Sequence, residues 1–205
     1  MLRLISLLAL AVIVAVIAAV TILQRTPSSP AVQLDTGIAV DPPRQLKAFE
    51  LIDHHQQPFD NERLQGRWTV AMIGFTHCPD ICPTALNQLA IVKRQLAEQG
   101  GELDVLFVSV DPDRDRPEDL ARYVGFFDDG LIGATGELEQ LRRFADSLDF
   151  AWVRVPQSEG RYTVDHSGAL ALIDPRGRLA GYFLPPLDLP AIEADLGRVL
   201  AIRAD

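Results

Sequence analysis

Cysteine is scarce in this 205-residue chain: its two thiols are Cys78 and Cys82, so at most one disulfide can form within it. Basic residues are also few, since 19 lysines and arginines stand against 28 acidic residues and give a formal net charge of -9. Nucleic-acid binding requires clustered lysine and arginine, so we expect no nucleic-acid partner. A Gly-rich phosphate loop and a Ser-His-Asp nucleophile motif are missing as well, which argues against nucleotide-dependent and triad-type hydrolytic chemistry.

The amino-terminal segment carries no charge over residues 4–23. As a helix this run would be about 30 Å long, which matches the hydrocarbon core of a bilayer. A cleaved signal peptide has a shorter apolar stretch and a small-x-small cleavage site, and residues 21–25 (TILQR) contain no such site. The sequence therefore predicts an uncleaved transmembrane signal anchor over residues 1–25, with the remainder of the chain exported.

Beyond the anchor, proline and serine dominate residues 26–30, which is typical of a solvated tether. We place this tether at residues 26–36 and a single domain at residues 37–205, because roughly 170 residues suffice for one hydrophobic core. Strand and helix patterns alternate with short connections in that domain, which indicates an α/β fold.

The patterns predict a nearly continuous apolar strand over residues 67–75 and a helix beginning close to residue 83 and ending at Gly100-Gly101. Further strands are expected at residues 103–110, 132–134, 151–155, 169–174 and 179–183, and helices from residue 115, at 137–147 and at 189–200. The last two strands should form a hairpin through Pro175-Arg176-Gly177.

Both thiols lie at the turn between that apolar strand and the helix that follows. Three residues separate them, so a disulfide would close a very small loop and would stabilise the fold little. A helix N-terminus favours the thiolate, which suits redox reactivity or metal binding. The two-residue spacing of thioredoxin-type pairs is narrower, and the wider spacing of Cys78 and Cys82 would let a metal ion lie between the sulfurs.

Among the four histidines, His166 is the candidate ligand because it precedes Gly168 at the start of a predicted strand, where a loop can face the thiol turn. Two thiolates and one imidazole would form a soft site suited to copper, especially Cu(I). Spacing alone does not pair His166 with the cysteines. We expect His77 to face solvent or to lie beside the ligands, and we expect His54 and His55 to lie in a solvated turn.

The aspartates of residues 111–115 follow the strand predicted at residues 103–110, at the same edge of the sheet as the thiols. Asp115 and Glu118 have capping-box spacing, so we predict that Asp115 caps the next helix. Asp111 is a candidate for a role next to the metal ligands or in docking.

Three blocks of sequence together resemble the Sco/SenC family: residues 74–83 around the thiols, residues 108–112 with Asp115, and residues 162–167. The resemblance extends from about residue 37 to the end and implies a thioredoxin-like fold on a membrane tether, facing the periplasm or the mitochondrial intermembrane space. It also implies that Cys78, Cys82 and His166 bind one copper ion. Asp111 matches a family aspartate near that site.

The function implied by the resemblance is that of a copper metallochaperone, which delivers copper to the CuA centre during cytochrome c oxidase assembly. Its expected partners are the CuA-bearing oxidase subunit and an upstream copper donor protein. The alternative is a thiol-disulfide oxidoreductase that uses Cys78 and Cys82 as a redox pair to reduce the CuA-site cysteines. A third hypothesis, a peroxide-consuming thioredoxin homologue, predicts a sulfenate at Cys78.

Overall fold

A computed structural model describes residues 32–201, which form an eight-stranded mixed sheet, a separate two-stranded sheet and four α-helices. The strands are β1 (Ile38–Gln45), β2 (Glu50–Asp53), β3 (Pro58–Asp60), β4 (Trp68–Gly74), β5 (Leu103–Ser109), β6 (Ile132–Thr135), β7 (Trp152–Pro156), β8 (Tyr162–His166), β9 (Leu170–Ile173) and β10 (Arg178–Phe183). The helices are α1 (Ile81–Glu98), α2 (Pro117–Gly125), α3 (Leu138–Ser147) and α4 (Leu189–Ala201).

The large sheet has the strand order β1-β10-β9-β4-β5-β6-β2-β3. Strands β4, β5 and β6 run parallel, and β9 pairs antiparallel with the other side of β4. Every residue of β4 is buried, as expected for a central strand covered on both faces. The carboxyl ends of β4 and β5 lie side by side, because Gly74 is paired with Ser109. The thiol turn and the aspartate segment therefore start from one edge of the sheet.

The predicted α/β class, the central strand and the helix after the thiols are confirmed, and the hairpin between β9 and β10 forms as expected. Strands β1, β2, β3 and β8 were not predicted. Strand β1 is largely exposed and contains Pro42 and Pro43, which is a composition that edge strands tolerate but that does not resemble a strand pattern. Within residues 32–201, strand β8 pairs only with β7, and burial does not alternate regularly along it, so it lacks the strand pattern that sequence analysis detects.

The predicted capping box at Asp115 and Glu118 is wrong. Helix α2 starts at Pro117, and the backbone N–H of Arg116 donates to the carboxylate of Asp119 over 3.2 Å. Proline fits the first helical position because it has no N–H to leave unpaired. The cap therefore lies one residue later than predicted, and the side chain of Asp115 is available for other contacts.

No helix in residues 32–201 is both long enough and apolar enough to cross a membrane. The predicted anchor at residues 1–25, like residues 26–31 of the predicted tether, lies outside the described part of the chain.

The segment before β1 is attached to α4 by one buried carboxylate. Asp195 is fully buried and accepts hydrogen bonds from the backbone N–H groups of Asp35 (2.8 Å), Thr36 (3.0 Å) and Gly37 (3.3 Å). Burial on its own would raise the pKa of Asp195, but these hydrogen bonds outweigh it and hold the pKa below its ordinary value.

Replacing Asp195 with asparagine should therefore lower the free energy of unfolding at pH 7 by about 1–3 kcal/mol. A carboxylate with a lowered folded-state pKa contributes stability that is present above its unfolded pKa of about 3.9 and is lost as pH falls through the folded pKa. The difference between variant and parent should then shrink below about pH 4. Urea unfolding at a series of pH values from 7 to 3 measures this difference in the free energy of unfolding. Glu193→Gln, on the same helix, is the control. Equal stability at pH 7 would contradict this role of Asp195.

Candidate metal centre

The two thiols are buried at the start of α1. Cys78 lies in the turn after β4, where its N–H donates to the carbonyl of Phe75 over 3.2 Å. Cys82 lies in the first turn of the helix, and its N–H donates to the sulfur of Cys78 over 3.4 Å. Both cysteines are free, with 8% of Cys78 and 0% of Cys82 exposed. This places the sulfurs next to each other, as the sequence predicted.

The end of β4 has to be glycine for Cys82 to reach this position. A Cβ atom on Gly74 would lie 2.9 Å from the sulfur of Cys82 and 2.6 Å from the ring of Phe107. Any larger residue would force the sulfur or the ring to move. The absence of a side chain at Gly74 thus leaves the space that the sulfur of Cys82 occupies at the end of β4.

His166 approaches the thiols from the end of β8, in the hairpin formed by β7 and β8. Its Nε2 lies 3.3 Å from the sulfur of Cys82, and its Nδ1 lies 3.0 Å from the carbonyl oxygen of Ser167. A carbonyl oxygen can only accept a hydrogen bond, so Nδ1 carries the proton and Nε2 directs its lone pair towards the sulfurs. This is the tautomer that a metal-binding imidazole needs.

The sulfurs of Cys78 and Cys82 and a ring nitrogen of His166 all lie within 4.8 Å of one another, and these three residues form the one group among residues 32–201 that could hold a metal ion. Burial raises the pKa of the Cys82 thiol, and the hydrogen bond with Cys78 raises it further. A bound metal ion would supply the positive charge that makes the thiolate favourable here. Two sulfurs and one nitrogen fit a soft ion such as Cu(I), whereas a structural zinc site normally has four protein ligands.

Asp115 stabilises the thiol turn through hydrogen bonds, a role that the sequence did not indicate. It is fully buried and accepts hydrogen bonds from the backbone N–H (2.8 Å) and the hydroxyl (2.6 Å) of Thr76 and from the hydroxyl of Ser109 (2.5 Å). Since Thr76 directly precedes the thiol motif, these bonds fix the backbone that presents Cys78. The available signal was the position of Asp115 just after β5, at the edge where β4 also ends.

Asp111 contacts the hairpin that carries His166 and does not contact the thiols. The buried carboxylate accepts hydrogen bonds from the hydroxyl of Tyr162 (2.7 Å) and from Arg154 (3.2 Å), and it pairs with Arg114 at the strand end. Tyr162 and Arg154 belong to β8 and β7, respectively. We call Asp111, Arg114, Arg154 and Tyr162 the hairpin clamp, because they join the two-stranded sheet to the loop after β5.

Aromatic contacts connect the hairpin clamp to the cluster of Cys78, Cys82 and His166. The guanidinium of Arg114 lies 3.9 Å above the ring of Tyr162 and 5.6 Å from the ring of Phe75. The ring of Phe75 in turn meets the ring of His166 edge-on at 6.2 Å between centroids. A shift of the clamp would therefore be transmitted to the imidazole.

The other histidines lie away from the three ligand atoms. His77 is 57% exposed and its ring contacts the hydroxyl of Thr76, in agreement with a solvent-facing position. His54 and His55 lie in a turn, as predicted, and His55 is exposed. His54 is not solvated as expected: it is half-buried and accepts the N–H of Gly133 over 3.1 Å. Burial lowers the pKa of His54 and favours its neutral form.

Comparison with known proteins gives consistent matches over the described domain. A sequence model described as SCO1/SenC matches residues 39–201. A protein of Stutzerimonas stutzeri is 41% identical over 158 residues, which cover 77% of this chain and 78% of that protein. The bovine protein SCO2 homolog, mitochondrial, is 39% identical over 66% of this chain, and the match covers 52% of its own length.

A solved structure of Arabidopsis thaliana ScoI with copper bound superposes with a TM-score of 0.73 and 30% identity, over 77% of this chain and 98% of that one. At that coverage and similarity, the α/β fold of this chain is the thioredoxin-like fold of these proteins. With the family model matched across the domain, the chain belongs to the SCO1/SenC family.

Proposed function

We propose that this protein is a copper metallochaperone, which carries one copper ion on Cys78, Cys82 and His166 and delivers it to the CuA site of a cytochrome c oxidase subunit. The observation that carries the proposal is the set of three soft ligand atoms within 4.8 Å of one another. Solved relatives from Arabidopsis thaliana and Bradyrhizobium japonicum are described with copper bound, which supports copper as the cargo.

Delivery requires that the ion be held and also released. A set of three protein ligands leaves a coordination position that an incoming partner thiolate can occupy before the donor ligands leave. Two open cavities reach the ligands. The cavity of about 400 Å3 is lined by Cys82 and His166, and the cavity of about 310 Å3 is lined by Cys78 and His166. A partner side chain can therefore approach the ligands without unfolding the thiol turn.

The arrangement in the cell follows from the sequence. Residues 1–25 would anchor the protein in the inner membrane, and residues 37–205 would function on the periplasmic side, or in the intermembrane space of a mitochondrion. An upstream copper donor protein would supply the ion.

A second candidate function is thiol-disulfide exchange that reduces the CuA-site cysteines of the oxidase subunit. It is favoured by the presence of two free cysteines whose sulfurs lie side by side. Cys78 is the more exposed of the two and would attack the target disulfide, and Cys82 would then close the Cys78–Cys82 bond. The two thiols lose two electrons and two protons, which the target disulfide takes up to become a dithiol.

Replacing His166 with alanine separates the two functions. We expect Cu(I) affinity to fall at least about tenfold, because an imidazole ligand is lost. The rate of disulfide exchange with an oxidised target peptide should stay unchanged, since no sulfur is altered. Competition with a Cu(I) chelator gives the affinity, and X-ray absorption counts the nitrogen ligands.

The matched control is His77→Ala, which removes an exposed imidazole next to Cys78 and should leave both measurements at the parent value. Unchanged copper affinity in the His166 variant would count against the metallochaperone. Rapid reduction without copper that survives the substitution would favour the oxidoreductase.

A further inference from the structure

The surface around the cysteine pair and His166 contains two cavities, and Ile81 lines both of them. One cavity, of about 400 Å3, lies on the α1 side and has mostly apolar walls that include Met72, Ala85, Pro185 and Leu187. The other, of about 310 Å3, lies on the side of the β7–β8 hairpin. Both are lined by Asp80, Ile81 and His166, so they form one continuous surface over the metal-binding cluster.

Ile81 is an exposed apolar residue beside the cysteine pair. It is 56% exposed, although Cys82 next to it is fully buried. An exposed apolar side chain loses water contact only when another surface covers it, and burying such a side chain fully contributes about 1.5–3 kcal/mol. Contiguous apolar surface with a polar rim marks sites of protein association, and Ile81 is continuous with the apolar walls of the 400 Å3 cavity.

The charge around Ile81 is of one sign. Asp80 and Asp165 are exposed and are the charged residues that line the cavities, and neither lining includes a lysine or an arginine. Asp80 precedes the first residue of α1, where an aspartate often caps the helix, but its side chain makes no capping hydrogen bond. Its carboxylate therefore remains available to a cation on another molecule.

We propose that this surface, formed by Asp80, Ile81 and Asp165, docks a basic segment of the partner protein, with lysine or arginine flanking an apolar side chain next to the partner's copper-binding thiols. The inference rests on the proposed function and specifies the partner for the same site. Opposite charges at the rim would increase the rate of encounter and fix the orientation, and Ile81 would contribute the apolar contact.

Two synthetic peptides test this chemistry. Each contains a pair of cysteines and a neighbouring leucine, and they differ only in flanking residues, which are lysines in one and glutamates in the other. The full chain in detergent micelles is loaded with Cu(I), and transfer is followed by quenching of a fluorophore on the peptide. The ion keeps its oxidation state, the peptide thiols release protons, and Cys78 and Cys82 take up protons as the ion leaves.

At low salt we expect transfer to the lysine peptide to be about 10-fold faster than to the glutamate peptide. The ratio should fall towards one in 1 M salt, where the screening length is about 3 Å. Asp80→Asn and Asp165→Asn should each reduce the ratio. Glu98→Gln removes one charge at the far end of α1, about 26 Å away along the helix, and should leave the ratio nearly unchanged.

Ile81→Ser should slow transfer to both peptides, whereas Ile91→Ser, at an exposed position further along α1, should not. Equal rates for the two peptides at low salt, or an equal effect of Glu98→Gln and Asp80→Asn, would overturn the docking inference while leaving the metallochaperone intact. A chain that takes up no Cu(I) in the loading step would instead refute the proposed function itself.

Discussion

A Cys82→Ser variant is expected to lose tight binding of Cu(I), with an affinity more than about 100-fold below that of the parent. A hydroxyl oxygen is a hard donor and a poor ligand for a soft monovalent ion. Cys82 also lies at the centre of the cluster, since its sulfur is 3.3 Å from His166 Nε2 and its N–H donates to the sulfur of Cys78. Its loss leaves one sulfur and one nitrogen, which is too few for a three-coordinate site.

The pH dependence of binding provides an independent measurement for the same variant. Burial raises the pKa of Cys82, so the free thiol stays protonated at neutral pH and each ion that binds must displace that proton. Between pH 6 and pH 8 this thiol should contribute about a tenfold gain in affinity per pH unit, and the serine variant should lose that contribution.

Thr84→Ser, at an exposed position of the same helix, is the matched control and should keep the parent affinity and pH slope. Circular dichroism of the Cys82 variant checks that the fold is retained. Parent-like copper affinity in a folded Cys82→Ser chain would remove Cys82 from the set of ligands.

The sequence predicted the position of both thiols correctly because their environment is local. An apolar strand followed at once by a helical pattern places Cys78 and Cys82 at one sheet edge, whatever the rest of the chain does. His166 is a different case, since 84 positions separate it from Cys82. Its proximity depends on how the β7–β8 hairpin crosses the sheet edge, and it became a candidate through position and family resemblance, not through spacing.

The aspartates show why the surroundings of the site were harder to predict. Asp115 is an aspartate three residues before Glu118, which is the spacing of a helix cap. An aspartate at that position can equally accept hydrogen bonds from a neighbouring loop, as Asp115 does from Thr76. Only the side-by-side register of β4 and β5 decides between these roles, and register depends on long-range pairing. Asp111 was placed near the site, but its contact with the hairpin requires Arg154 and Tyr162, which lie more than 40 residues further along the chain.

A substitution in the hairpin clamp, Asp111→Asn, is expected to reduce both the stability of the fold and the affinity for Cu(I). Asp111→Asn keeps the shape of the side chain but removes the charge that faces Arg114 and Arg154, and we expect the free energy of unfolding to fall by about 2–3 kcal/mol. The β7–β8 hairpin lies outside the large sheet and is held in part by this carboxylate. Its loss should let His166 move relative to the thiols and weaken Cu(I) binding by about 10–100-fold.

Three measurements distinguish this positioning role from simple destabilisation. X-ray absorption of the copper-loaded variant should show a weaker nitrogen contribution with both sulfurs retained. Hydrogen exchange should accelerate in β7 and β8 and not in β4 and β5. Asp113→Asn removes an exposed partner of Arg154 and should cost less than about 1 kcal/mol, because exposed ion pairs contribute little. If Asp111→Asn loses stability but keeps parent copper affinity and hairpin protection, the clamp does not position the imidazole, and the contacts of His166 with Phe75, Ser167 and Cys82 suffice to hold it.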